Sequence, residues 1–96
     1  MKYKIQYSTK FKKDLKLAKK RGLDLEELKF VIDELAKGNK LDDKYKDHDL
    51  HGDWEGYREC HIEPDWLLVY QLYNDEVILY LVRTGMHSDL FNSIIL

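Results

Sequence analysis

Four histidines, His48, His51, His61 and His87, fall within residues 48–87 of this chain with Asp65 and Arg83 among them. Imidazole titrates near ~6.5, so two histidines sharing a site can begin a reaction in opposite states, one neutral to accept a proton and one charged to donate it. An arginine beside them adds a permanent charge whose planar fork matches the non-bridging oxygens of a phosphate. These groups suit cofactor-free cleavage of RNA. A base takes the 2′-hydroxyl proton, the oxygen attacks the adjacent phosphorus, and an acid protonates the departing 5′-oxygen. Trp66 and Phe91 are candidates to stack splayed bases, although Trp66 opens an apolar strand, where aromatic residues more often pack in the core. The same histidines admit a competing reading as metal ligands, His48-x-x-His51 with His61 or Asp65. The spacing matches a zinc site poorly, and structural sites of this size usually use cysteines. The expected cofactor is none. No Gly-rich phosphate loop is present, and Ser88 or Ser93 beside a histidine is too common a pairing to indicate a hydrolase triad.

The elements that must position these groups are legible as changes of period. Tyr3, Ile5 and Tyr7 alternate with polar residues, as in a half-buried strand. Ser8 or Thr9 then caps a helix with Phe11, Leu15 and Ala18 on one face, and Gly22 ends it. Asp24 and Glu27 form a capping-box pattern ahead of a second helix whose stripe is Leu25, Leu28, Val31, Ile32 and Leu35, with Gly38 at its stop. Residues 38–56 show no clear periodicity. Beyond them, three strands are expected over 57–62, 66–73 and 77–83, with a break at Pro64 and a tight hairpin at Asn74-Asp75. The last two are nearly continuous apolar runs, which predicts central positions under the helices. The expected class is α+β, in the order β-α-α-β-β-β, with a small, mostly antiparallel sheet packed by two N-terminal helices. A final turn of helix is expected within 86–96.

Composition narrows the classes. At 96 residues the chain is expected to form one domain, 1–96. It is 44% hydrophobic and 35% charged, which fits neither a disordered tail nor a membrane protein. No apolar run approaches the roughly 20 residues that span a bilayer, and the first residues lack the apolar core of a signal peptide, so a cytoplasmic location is expected. The lone Cys60 cannot form an intrachain disulfide and is expected to be buried and structural. The net charge of −2 conceals a strong polarity: residues 1–40 hold 12 Lys and Arg against 6 Asp and Glu, and residues 41–96 hold 4 against 12. Lys10, Lys12, Lys13, Lys16, Lys19, Lys20 and Arg21 crowd the first helix, with Asp14 the only acid among them. Such a stripe is either a solvated face or a surface for a polyanion.

The run Tyr45-Lys46-Asp47-His48, then Leu50-x-Gly52-x-Trp54-x-Gly56-Tyr57-Arg58, His61-x-Glu63-Pro64-Asp65-Trp66 and Arg83-Thr84-Gly85-x-His87-x-x-x-Phe91 resembles the YafQ branch of the RelE superfamily. The resemblance spans nearly the whole chain. It implies a bacterial type II toxin, a ribosome-dependent mRNA endonuclease held inactive by an antitoxin. His48, His61, Asp65 and His87 match the family's acid-base residues, Arg83 its transition-state phosphate contact, and Trp66 and Phe91 its other active-site positions. On this reading His87 is the general acid toward the 5′-oxygen, and either His61 or His48 is the base, with Asp65 orienting or tuning it. The lysine-rich helix would dock on ribosomal RNA phosphates. The implied partner is an antitoxin of ribbon-helix-helix type, DinJ- or RelB-like, with operator DNA reached only through it. Two other readings stay open. ParE-type proteins resemble this fold but poison gyrase and have no need of the His/Asp/Arg set, and a toxin without activity can persist as half of a repressor complex.

Overall fold

The structure is a computed structural model that describes residues 2–90. Phe91 therefore lies outside the described residues. β1 (Lys4–Tyr7) leads into α1 (Thr9–Lys20), where the Ser8 side chain accepts the Phe11 N–H at 2.8 Å as N-cap. α2 (Leu25–Ala36) is capped by Asp24, which accepts from the Glu27 N–H at 3.1 Å. Glu27 is the acceptor for the Tyr45 hydroxyl. Gly22 and Gly38 follow the two helices with φ of +75° and +80°, the left-handed stop expected of them.

Five strands form the sheet, in the order β1-β5-β4-β3-β2, where β2 is His48–Asp49, β3 Arg58–Glu63, β4 Trp66–Tyr73 and β5 Ile78–Met86. β1 runs parallel to β5 and every other pairing is antiparallel. The expected class, strand-helix-helix-strand order and central β4 and β5 hold. Three details differ. A two-residue strand, β2, sits in the aperiodic stretch, too short to give a period. β5 continues to Met86, opposite Trp66 at the start of β4. The hairpin closes over residues 74–77, since Tyr73 pairs with Ile78. Val77 there has φ +56°, and its backbone is tied down where its carbonyl accepts the Lys4 N–H at 2.8 Å. A helical turn occupies 87–90, where the terminal helix was expected.

The main core lies on one face of the sheet, where Phe11, Ala18, Leu28, Val31 and Leu35 of the helices meet Cys60, Ile62, Trp66, Leu68, Tyr70, Leu79 and Leu81. Cys60 is fully buried as expected, and burial pushes its thiol well above the ordinary range. On the other face a smaller cluster gathers Leu67, Val69 and Leu90, packed by Leu50, Trp54, Tyr57 and Val82. No helix among the described residues is long and apolar enough to cross a membrane.

Candidate active site

His48 and His61 come together beside the smaller cluster, on the sheet face away from α1 and α2. Strand register dictates this. His48 on β2 pairs with Glu59 on β3, Glu59 with Val69 on β4, and Val69 with Arg83 on β5, so one row crosses four strands. His61, two residues beyond Glu59, shares its face and pairs with Leu67, which pairs in turn with Gly85. The His48 and His61 ring centroids lie 6.4 Å apart.

Hydrogen bonds set the roles of the two rings. His61 Nδ1 lies 3.0 Å from the Pro64 carbonyl oxygen, which can only accept, so Nδ1 carries the hydrogen and Nε2 is left as the working nitrogen. His48 Nδ1 lies 2.6 Å from the Lys46 carbonyl oxygen, and its Nε2 is 3.2 Å from Oε2 of the buried Glu59. Both ring nitrogens therefore face an acceptor, and the two contacts orient the ring.

Arg83 reaches from β5 to α1. Its Nε donates to Asp14 Oδ2 at 2.7 Å and its Nη2 to Asp14 Oδ1 at 3.1 Å, while the Thr84 N–H also donates to Oδ2 at 3.1 Å. The bonds to Asp14 hold the guanidinium above its ordinary pKa, and Nη1 takes no part in the pair. His87 is exposed at the first position of the terminal turn. That turn is anchored by buried Leu90 against Leu67 and Val69, and by Asp89, whose carboxylate accepts from Arg21 at 2.8 Å. Gly85 lets it approach closely, for a Cβ there would stand 3.2 Å from Leu90 Cδ2.

Two expectations change. Trp66 faces the helix side, 1% exposed, with its indole N–H donating to Thr84 Oγ1 at 2.9 Å, so it offers no face on which a base can stack. Asp65 is exposed in the β3–β4 turn, and no hydrogen bond to a histidine is among its described contacts. The ring of His61 is oriented by the Pro64 carbonyl, and the carboxylate beside His48 is Glu59. His51 stands apart, 82% exposed and 3.5 Å from Glu55. Two residues to which the sequence assigned no site role, Glu59 and Asp14, had signals. Glu59 precedes His61 by two in a strand, hence shares its face, and Asp14 is the lone acid in a basic helix. All seven basic residues from Lys10 to Arg21 are exposed. Among the described residues, no group of three or more His, Cys, Asp or Glu side chains is gathered closely enough to hold a metal ion, so the His48-x-x-His51 ligand set does not assemble.

The chain as a whole matches a known family. Residues 3–92 match the family described as "Bacterial toxin of type II toxin-antitoxin system, YafQ". The chain is 46% identical over 88 residues to the mRNA interferase toxin YafQ of Escherichia coli K12, covering 91% of this chain and 94% of that protein. It superposes on the E. coli DinJ-YafQ complex with a TM-score of 0.85 at 44% identity, over 93% of this chain and 98% of that one. It also superposes on a metal-bound toxin from Helicobacter pylori with a TM-score of 0.88 at 50% identity, over 93% and 99% of the two chains. Fold and matches together define the class, a RelE-like toxin of a type II toxin-antitoxin system. Within that class the chain belongs to the YafQ family.

Proposed function

We propose that this protein is a toxin that cuts mRNA on the ribosome by general acid-base catalysis without a metal, and that an antitoxin holds it inactive. The observation that carries the proposal is the row from His48 through Glu59 to Arg83, with His61 beside it on the same face. The name of the E. coli relative and its complex with DinJ support it. His61 Nε2 takes the 2′-hydroxyl proton, because the Pro64 carbonyl already occupies Nδ1. The 2′-oxygen attacks phosphorus, the P–O5′ bond breaks, and His87 gives its proton to the leaving oxygen. Arg83 balances charge on the phosphate through Nη1 while Asp14 keeps its other edge in place. His48, with both ring nitrogens beside the Lys46 carbonyl and Glu59, is the less available of the two histidines to act as base. Asp65 stays a candidate acid-base group at the exposed turn beside His61, and Phe91 a candidate base-stacking residue.

Expression without a partner, in the cytoplasm where this activity belongs, is expected to stop growth and to fragment translated messages. Mapping RNA 5′ ends after induction tests this. Intact messages with accumulated DNA breaks would instead identify a gyrase poison, and normal growth would identify an inactive co-repressor.

The exposed stripe Lys10, Lys12, Lys13, Lys16, Lys19, Lys20 and Arg21 is the docking surface for ribosomal RNA. The partner of the opposite kind is a ribbon-helix-helix antitoxin of the DinJ/RelB type, through which operator DNA is reached. Each lysine that neutralises a phosphate releases counterions. Changing Lys12, Lys13, Lys16 and Lys19 to Gln should therefore weaken ribosome binding and flatten its salt dependence. Co-sedimentation across a salt series measures both, and an unchanged slope would return the stripe to a solvated face.

A further inference from the structure

The functional reading leaves unused a second network beneath the histidines, on the opposite face of β2 and β3. Side chains alternate along a strand, so Asp47 and Asp49, on either side of His48, point away from the acid-base face. One guanidinium holds both. Arg58 Nη2 donates to Asp47 Oδ2 at 2.9 Å and Nη1 to Asp49 Oδ1 at 2.6 Å, while Nε donates to the Tyr70 hydroxyl at 3.2 Å. The fully buried Tyr70 in turn donates to Asp47 Oδ1. Asp47 thus receives hydrogen bonds on both oxygens from groups anchored in β3 and β4. Its side chain is 23% exposed against 66% for Asp49, so the Asp47 contact is the better shielded of the two ion pairs.

The backbone just before the clamp is in an unfavourable conformation. Lys46 has φ +50° and ψ +43°, the left-handed region that favours glycine. That conformation aims the Lys46 carbonyl at His48 Nδ1, 2.6 Å away. A non-glycine residue remains there only where its surroundings hold it, and the next residue along is the doubly bonded Asp47. A two-residue strand has little pairing of its own to do this.

We propose that Arg58 is a positioning residue for His48, acting through Asp47 and Tyr70. By fixing Asp47 it fixes the Lys46 carbonyl and the pairing with Glu59, the two acceptors that orient the imidazole. The inference rests on the acid-base reading of the histidine face, and its test separates the two. The probes are the His48 imidazole ¹H–¹⁵N resonances in the free, full chain and single-turnover cleavage of ribosome-bound mRNA by the same samples. Arg58→Gln removes the clamp. Tyr70→Phe keeps the buried ring and removes one of the bonds to Asp47, so it serves if Arg58→Gln does not fold, and the backbone amide spectrum reports which variants do. The folded variants should show the His48 ring nitrogens shifted to those of an imidazole hydrogen-bonded only to water, with His61 unmoved. Cleavage should slow about 10- to 100-fold at saturation with half-saturation little changed, the pattern of a displaced group rather than lost binding. Arg58→Lys should not restore the rate, since one ammonium cannot span Asp47, Asp49 and Tyr70. His51→Ala, whose exposed ring faces Glu55 and makes none of these hydrogen bonds, should match the parent in both measurements. An unmoved His48 ring in folded Arg58→Gln and Tyr70→Phe would overturn the proposal, whatever the rate. A freed ring with the parent rate would also overturn it if His61→Ala abolishes cleavage, because His48 placement would then not matter. If His61→Ala cleaves normally as well, the acid-base reading itself has failed.

Discussion

His61→Ala is expected to slow single-turnover cleavage of ribosome-bound mRNA by about 10²–10⁴-fold, the usual contribution of a general base. The hydrogen bond to Pro64 leaves Nε2 of that ring as its free nitrogen. His87→Ala should lose the same order, from the acid side, because the 5′-oxygen then leaves without a proton. Arg83→Ala removes charge stabilisation at the phosphate and should cost about 10²–10³-fold. Arg83→Lys should recover little of that. The guanidinium spends Nε and Nη2 on Asp14 and turns Nη1 elsewhere, whereas one ammonium must choose between carboxylate and phosphate. Rate constants from quenched-flow or manual time courses decide the matter. A His61 or His87 variant that cuts at the parental rate removes that residue from the mechanism.

The largest effect on stability is expected at Trp66. Its side chain is 1% exposed in the helix-side core, and its N–H donates to Thr84 Oγ1, which donates in turn to the Leu67 carbonyl at 2.7 Å. Trp66→Ala should destabilise the fold by about 3–5 kcal/mol, from lost burial and the cavity left behind. Trp66→Phe should cost less but more than its area alone, since the Thr84 hydroxyl loses a buried donor. Urea unfolding followed by far-UV circular dichroism measures both. If Trp66→Ala keeps parental stability and fails only in RNA binding, the residue is a stacking platform and its place in the core is wrong.

Trp66 also shows how far the residues can be read. The run from Trp66 to Tyr70 is apolar throughout, because the sheet carries a core on both faces, and period two then says nothing about which parity meets the helices. Where one face is polar, parity does work: Glu59 and His61 alternate with Cys60 and Ile62, and the pairs separate onto opposite faces. The caps Ser8 and Asp24 and the stops Gly22 and Gly38 were legible because their chemistry is local. The partners of the histidines and of Arg83 were not. Asp65 is near His61 in sequence, yet the acid beside His48 is Glu59 through strand pairing, and the acid on Arg83 is Asp14, 69 residues away. Register and helix packing make those contacts, and neither can be counted from spacing.

The chemistry of the cut ends tests the central claim most directly. Attack by the 2′-oxygen with proton transfers through His61 and His87 must leave a 2′,3′-cyclic phosphate on one fragment and a 5′-hydroxyl on the other. A metal-activated water attacking the same phosphorus can leave a 5′-phosphate and a 3′-hydroxyl instead. The measurement is end-group analysis, by mass spectrometry and by kinase-dependent 5′ labelling, of mRNA cut by purified protein on ribosomes kept intact with magnesium while zinc is sequestered. The account predicts cleavage under these conditions, with cyclic phosphate and 5′-hydroxyl ends. Cleavage that requires zinc, or fragments bearing 5′-phosphate, would contradict it.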